Sequence, residues 1–171
     1  MAGEKMTVSK VIETMDSLTE MHKHLLQSGL EKKQAIISKD LDSLMRIMRL
    51  ESKILKDITA MDMMRVAACR KLMLEKGVKN RINTTYRQLM GVVFVPEERI
   101  RLQEVHERLE SVLKELKNLN DLNQDLLNQS LDFVHFSIDL LISPEDESYT
   151  YKHPSNQLRN SNRNGIYNSK A

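Results

Sequence analysis

The sequence predicts an all-α protein: an elongated antiparallel helical bundle or coiled-coil hairpin of three long helices, with room for one short helix and a disordered carboxy-terminal tail. Only five glycines and three prolines interrupt 171 residues. Aromatic residues make up 4 % of the chain and charged residues 29 %, and helix-forming residue types are abundant. Apolar residues recur at spacings of three and four, the period of an amphipathic helix.

The first predicted helix covers about residues 6–37. Gly29 lies inside it and costs roughly 1 kcal/mol relative to alanine, which allows a bend at that point. Its apolar side carries Val8, Val11, Met15, Leu18, Leu25 and Leu26, with His22 on the same seam.

The second helix is expected to begin after Ser38 or Asp40, since either side chain can cap a helix amino terminus. Lys76 followed by Gly77 suits its end, because a cation and a left-handed glycine both fit the last turn. Its seam runs through Leu41, Leu44, Met48, Leu55, Ile58, Met61 and Leu72. Six methionines gather there, which usually indicates core filling and also suits a groove that accepts several apolar ligands.

The third long helix is predicted from Pro96 to Ile142. Proline suits a first helical position, Glu97 and Glu98 complement the positive helix end, and the length would be about 70 Å. Such a helix needs antiparallel partners, which the first two supply. Before it, residues 83–90 are expected to form the short helix, and Gly91 starts a connector.

The last part of this helix carries two apolar stripes about 100° apart, wider than one core-facing side needs. Either the helix touches two neighbours inside the bundle, or one stripe is internal and the other meets a partner. The first stripe contains Leu116, Leu127, Leu131, Val134, Ile138 and Leu141, interrupted by Asn120 and Asn123. The second contains Leu119, Leu122, Leu126, Phe133, Phe136 and Leu140. We expect the first stripe to be internal and the second to be the partner surface.

After Pro144 the composition changes to asparagine and serine with few aliphatic residues, which predicts disorder in the unbound chain. The expected organisation is therefore a helical domain at 1–143 and a flexible tail at 144–171. Tyr149, Tyr151 and Tyr167 stand in this tail. Because tyrosine combines apolar area with a hydroxyl group, we expect at least one of them to dock to a partner.

Several function classes find no support. The net charge of +2 gives no overall field for nucleic acid or an anionic membrane. No apolar run is long enough to span a bilayer, and neither a signal-peptide core, a metal-ligand spacing nor a phosphate-binding loop occurs. The single Cys69 fits a reducing compartment. We expect a soluble cytoplasmic protein that is not an enzyme and needs no metal or cofactor.

Three segments resemble flagellar export chaperones of the FlgN type: EKKQAIISKDLDSLMRIMRLESKILKDI, LNDLNQDLLNQSL and the terminal NGIYNSKA. The first segment matches the family's short break in the helix before an acidic residue, after which the helix and its row of leucines resume. The second matches spaced asparagines followed by paired leucines, and the third a glycine, aromatic and basic-alanine terminus. The resemblance covers nearly the whole chain.

The resemblance implies an all-helical cytoplasmic chaperone that binds the carboxy-terminal helical segments of hook-associated junction proteins. It would keep them unassembled and deliver them to the cytosolic domain of the flagellar type III export gate. In the family, a tyrosine just past the last helix is associated with docking to the gate. The resemblance implies that Tyr151 has this role, with Tyr149 as the second match. Lys152, His153 and Pro154 stand where family members frequently have glycines. Client binding maps to Leu119, Leu122, Asn123, Leu126, Leu127, Phe133, Phe136 and Leu140.

Two alternatives stay open from the residues alone. One is a homodimeric helical scaffold or adaptor without an export role, in which the extra stripe is the dimer interface. The other is a regulatory protein that binds an acidic or nucleic-acid ligand through the basic segment from Arg65 to Arg87. Nucleic acid is the weaker partner, since Tyr86 is the only aromatic residue there that could stack on a base.

Overall fold

The computed structural model describes residues 2–78 and 84–142, with side chains from Thr7 onward. Contacts divide the chain into two units, Met1–Val134 and His135–Ala171, and the described part of the second unit is residues 135–142. The predicted tail, residues 144–171, lies outside the described residues.

The described residues form helices and no strands, which confirms the all-α fold with three long helices and one short one. The helices are α1 (Ala2–Ser38), α2 (Leu41–Glu75), α3 (Tyr86–Val92) and α4 (Pro96–Ile142).

A two-residue turn joins α1 to α2 and folds them into a hairpin. Lys39 adopts the left-handed conformation, with φ of 57°. Asp40 then caps α2, accepting a hydrogen bond from the backbone N–H of Ser43 at 3.0 Å. Bonds from the Ser43 hydroxyl and backbone N–H hold the pKa of Asp40 below its ordinary value. The short turn leaves α1 and α2 side by side and antiparallel.

α4 lies along α1 in the parallel direction, and therefore runs opposite to α2. An ion pair of 2.7 Å joins Asp16 to Arg108, and further along a hydrogen bond joins Gly29 to Asn123. Between α1 and α2, a half-buried ion pair of 2.8 Å joins Lys32 to Glu51. This up-down-up order confirms the antiparallel bundle.

The main core lies where the beginnings of α1 and α4 meet the end of α2, and α3 covers it. Thr85 caps α3 in a capping box, in which its hydroxyl accepts from Gln88 N–H and the Gln88 side chain accepts from Thr85 N–H. The core cluster comprises Val8, Val11, Met15, Ala68, Cys69, Leu72, Met73, Leu89, Val92, Val93, Leu102 and Val105.

Two local predictions are refined by the helix boundaries. α3 spans residues 86–92 rather than 83–90, so Gly91 lies inside the helix. α2 ends at Glu75, and Gly77 follows with φ of 72°, as expected for a helix-ending glycine. Among residues 2–78 and 84–142, no helix is both long enough and apolar enough to cross a membrane.

Candidate protein-interaction surface

The buried face of α4 forms one regular seam that stops in the middle of the helix. Its members alternate at spacings of three, four and seven, as expected for a helix packed along a partner. They are Leu102, Val105, Val112, Leu116, Leu119 and Asn123. Within the described residues of α4, no residue after Asn123 is buried. The first half of α4 therefore belongs to the bundle interior, whereas the second half leaves its apolar side chains accessible.

Leu119 and Asn123, which were predicted to bind a partner, belong to this internal seam in the unbound chain. Leu119 is 8 % exposed and Asn123 is 2 % exposed. A Cβ atom added to Gly29 would lie 2.9 Å from Leu119 Cδ2, so Leu119 packs directly over the glycine. Asn123 Nδ2 donates a 2.9 Å hydrogen bond to the Gly29 carbonyl. Glycine at this position lets α4 approach closely enough to bury both side chains.

The stripe that was predicted to be internal is buried in its first part, where Leu116 is 7 % exposed, and accessible farther along the helix. Asn120 is exposed, and Leu131 and Val134 are 56 % and 49 % exposed. With Gly29 beside Asn123, the end of α1 comes level with about residue 132, given the common rise of 1.5 Å per residue. Few α1 residues therefore remain to cover this stripe.

The remaining predicted partner-binding residues stay accessible. Leu122 is 41 % exposed and Phe133 57 %, while Leu126 and Leu127 are half-buried. Spacings of four and seven place Leu122, Leu126 and Phe133 on one side of α4. We call these three residues the outer row. The Lys39 ammonium group lies 4.5 Å from the centre of the Phe133 ring, which places the end of this row at the α1–α2 turn.

In the second unit, Phe136 is 61 % exposed and Leu140 is 63 % exposed. Both are therefore accessible, and their role in partner binding stays a prediction. Tyr149 and Tyr151, the predicted gate-docking residues, lie outside the described residues.

A second accessible apolar surface, which sequence reasoning did not identify as a site, lies on α2. Most of the methionines expected to fill the core are instead exposed, since Met63 is 69 % and Met64 is 50 % exposed. The sequence does contain a pattern that indicates this surface. It is an apolar row displaced from the buried seam of α2 by one residue, which is 100° of rotation around the helix. We call this set the α2 row, and it consists of Leu41, Met45, Met48 and Leu55, each at least half exposed.

Between α1, α2, α3 and α4 lies an open cavity of about 360 Å³. The Tyr86 and His106 rings stack in its wall, with centroids 3.8 Å apart. Leu113 of α4 and Ile58 of α2 also line it, which shows the side of each helix that faces the other. Apolar atoms dominate this wall, so it is suited to an apolar side chain more than to chemistry.

Catalytic and metal-binding arrangements find no support in the described residues. No group of three or more histidine, cysteine, aspartate or glutamate side chains there could hold a metal ion. Burial raises the pKa of the Cys69 thiol, which keeps it protonated and unreactive. In the basic segment, Arg65 is paired with Asp62 at 2.8 Å, so part of its charge is already neutralised within α2.

Comparisons with known proteins agree with the resemblance seen in the sequence. The family described as FlgN protein matches residues 1–159. A protein of Bacillus subtilis (strain 168) carrying the name "Uncharacterized protein YvyG" is 28 % identical over 167 residues, which cover 97 % of this chain and 100 % of that protein. No solved structure matches the chain. With the family matched over nearly the whole length, the chain belongs to the FlgN family of flagellar export chaperones.

Proposed function

We propose that this chaperone works in the cytoplasm, binds the carboxy-terminal helical segments of hook-associated junction proteins and delivers them to the flagellar type III export gate. The observation that carries the proposal is the outer row of α4. It presents accessible leucine and phenylalanine side chains on a helix whose other face is fixed in the bundle. Family membership supplies the general role, and this surface supplies a place for the client.

The outer row suits an amphipathic helix. A client helix that presents apolar residues every three or four positions could cover Leu122, Leu126 and Phe133 along one line. Burying each of these side chains contributes about 1 to 2 kcal/mol, since each is already partly covered. The client's own apolar face would be covered in the same contact, which would keep it from assembling early.

The outer row begins where contacts with α1 fix the position of α4. Leu119 and Asn123 alternate with the outer row and anchor the helix to α1 at Gly29. They therefore act on the client site as positioning residues. Release at the gate would proceed by competition for the same accessible row.

The test is a triple substitution, Leu122→Ala, Leu126→Ala and Phe133→Ala, measured by isothermal titration with peptides from the ends of junction proteins. Loss of three anchors should weaken binding by more than about 100-fold. The matched control removes two aliphatic residues and one phenylalanine elsewhere: Leu74→Ala, Ile100→Ala and Phe94→Ala, all exposed.

The control should bind the peptides normally. Unchanged affinity in the outer-row variant would refute the client site, as would an equal loss in both variants, because the effect would then not be specific to α4. Circular dichroism should show the same helical content in both variants, since all six side chains lie outside the buried core.

A further inference from the structure

A row of four residues on α1 faces the same side of the bundle as the outer row of α4. The four positions are spaced by seven, which keeps them on one side of a helix. They are Asp16, Lys23, Leu30 and Ile37. At one end, an ion pair of 2.7 Å joins Asp16 to Arg108, which lies two heptads before Leu122 of the outer row. This contact places the two rows on the same side of the α1–α4 pair.

Three contacts fix the height of each residue of α1 against α4. They join Asp16 to Arg108, Gly29 to Asn123 and Lys39 to Phe133. In each pair the residue numbers differ by 92 or 94, so the two parallel helices keep one register. Leu30 is therefore level with about residue 123 of α4. Ile37 is level with about residue 130, between Leu126 and Phe133.

Leu30 and Ile37 form the second wall of a groove along the outer row. Both are about half exposed, although they lie beside α4. The close contact at Gly29 forms the floor, because it leaves no space for another side chain between the two helices. From Asp16 to Lys39 the groove is about 35 Å long, enough for about six turns of a partner helix. We call it the α1–α4 groove.

The two edges of this groove differ in charge. On the α4 edge, Asp125 and Asp132 lie one heptad apart, about 80 to 100° around the helix from the outer row and on the side away from α1. Both are exposed, and neither forms an ion pair within the described residues. On the α1 edge stand the amides Gln27 and Gln34 and one carboxylate, Glu31, which accepts a hydrogen bond of 3.2 Å from Gln27. The α4 edge is therefore the more acidic one.

The basic side chains near the groove do not neutralise this acidic edge. Lys23 is paired with Glu20 at 2.8 Å. Lys33 is half-buried and, in the part of the chain that the structure describes, forms no ion pair with either aspartate. The segment of α4 from Asn118 to Val134 contains three aspartates and no lysine or arginine. The edge is thus available to a cationic partner.

We propose that the α1–α4 groove holds the client as one amphipathic helix, with its apolar stripe against both walls and its basic side chains along the α4 edge. The inference rests on the proposed function and adds a second wall and a chemical class of partner to it. A stripe flanked by lysine or arginine matches both the apolar walls and the aspartates. Cations on one flank would also set the direction of the client helix, because reversing it would move them to the α1 edge.

Isothermal titration of the full chain with carboxy-terminal peptides of junction proteins tests the second wall. Leu30→Ala combined with Ile37→Ala should weaken binding by about 10-fold or more, because two apolar anchors are lost. The matched control, Leu50→Ala combined with Leu55→Ala, removes two leucines of similar exposure from α2, which does not border the groove. The control should bind the peptides normally.

Charge reversal tests the acidic edge. Asp125→Lys combined with Asp132→Lys should weaken binding of the same peptides by about 10-fold. This variant should regain affinity for peptides whose lysines and arginines beside the apolar stripe are changed to glutamate. Such a regain cannot arise from unfolding. Asp57→Lys combined with Glu75→Lys makes the same change of net charge at exposed positions of α2 and should leave the affinity for both kinds of peptide unchanged.

Normal binding by the Leu30 and Ile37 variant would overturn the second wall. If the outer-row variant lost binding in the same experiment, the client would lie on α4 alone, and the proposed client site would stand. Normal binding by both variants would refute the client site as well. Unchanged affinity after charge reversal, or no regain with the glutamate peptides, would overturn the basic edge of the client.

Discussion

At the residue scale, Gly29 has a structural role that its helix propensity conceals. A glycine inside a helix is unfavourable, and the sequence suggested a bend. The structure shows α1 continuing through it, with Leu119 packed over its backbone and Asn123 bonded to its carbonyl. The missing side chain is therefore what allows α4 to pack against α1.

Gly29→Leu should lower the free energy of unfolding by about 1 to 3 kcal/mol, because the new side chain would overlap Leu119. Urea denaturation measures the effect. Gly91→Leu is the control, since a Cβ atom there meets nothing within 4 Å. If both substitutions changed stability equally, the close approach at Gly29 would not matter.

Asn123 is the one polar side chain in the buried seam of α4. Its Nδ2 is bonded to Gly29, whereas its Oδ1 has no donor within the described residues. A buried amide of this kind favours one alignment of two helices, because sliding α4 would break the bond. We therefore expect it to fix the register of α4 at some expense of stability.

Asn123→Asp keeps the shape but replaces the donor with a buried acceptor facing a carbonyl. The substitution should lower the free energy of unfolding at pH 7 by about 3 kcal/mol, as measured in urea. Asn120→Asp, at an exposed position of the same helix, should have little effect. If the two variants were equally stable, Asn123 would not fix the register of α4.

At the element scale, α3 is a short helix whose position depends on its cap. Seven residues are too few for stability without packing, yet Leu89 and Val92 complete the core cluster. The capping box of Thr85 and Gln88 satisfies backbone groups at its start. The cap therefore helps to hold α3 against the main core.

Thr85→Ala should lower the free energy of unfolding by about 1 kcal/mol, because it removes the acceptor for Gln88 N–H. Thr59→Ala is a suitable control: that hydroxyl bonds the Leu55 carbonyl on an exposed helix face and competes with the backbone. Thermal unfolding followed by circular dichroism compares them. A larger loss from the Thr59 variant would contradict the role of the cap.

At the scale of the whole molecule, client binding and gate docking are expected to be separate. The outer row belongs to the helical bundle, whereas the predicted docking tyrosines follow α4 in the sequence. A chaperone that uses distinct segments for the two contacts can hold a client while it meets the gate.

Tyr151→Ala should weaken binding to the cytosolic domain of the export gate by about 10-fold, as loss of one tyrosine anchor does. Affinity for junction-protein peptides should stay the same. Tyr167→Ala serves as the control for a tyrosine farther from α4. Normal gate binding by Tyr151→Ala, with or without Tyr149→Ala, would refute this docking role.

The amino-acid sequence by itself determined the helices. Their apolar period, the Asp40 cap, Pro96 and Gly77 act within one or two turns, so the number of helices and most of their ends followed from local rules. The family also followed, since the segments that resemble it lie along the chain, and the match over residues 1–159 confirms the family.

The tertiary structure alone decided which apolar residues are available. On α4 both stripes have similar composition, so hydrophobicity could not say that Leu119 is buried while Leu131 is exposed. That choice depends on a glycine in another helix, 90 positions away in the sequence, and on where α1 ends. The exposed rows of α2 and α4 have the same explanation. Burial depends on which helix packs against a residue, and a local sequence pattern does not specify that helix.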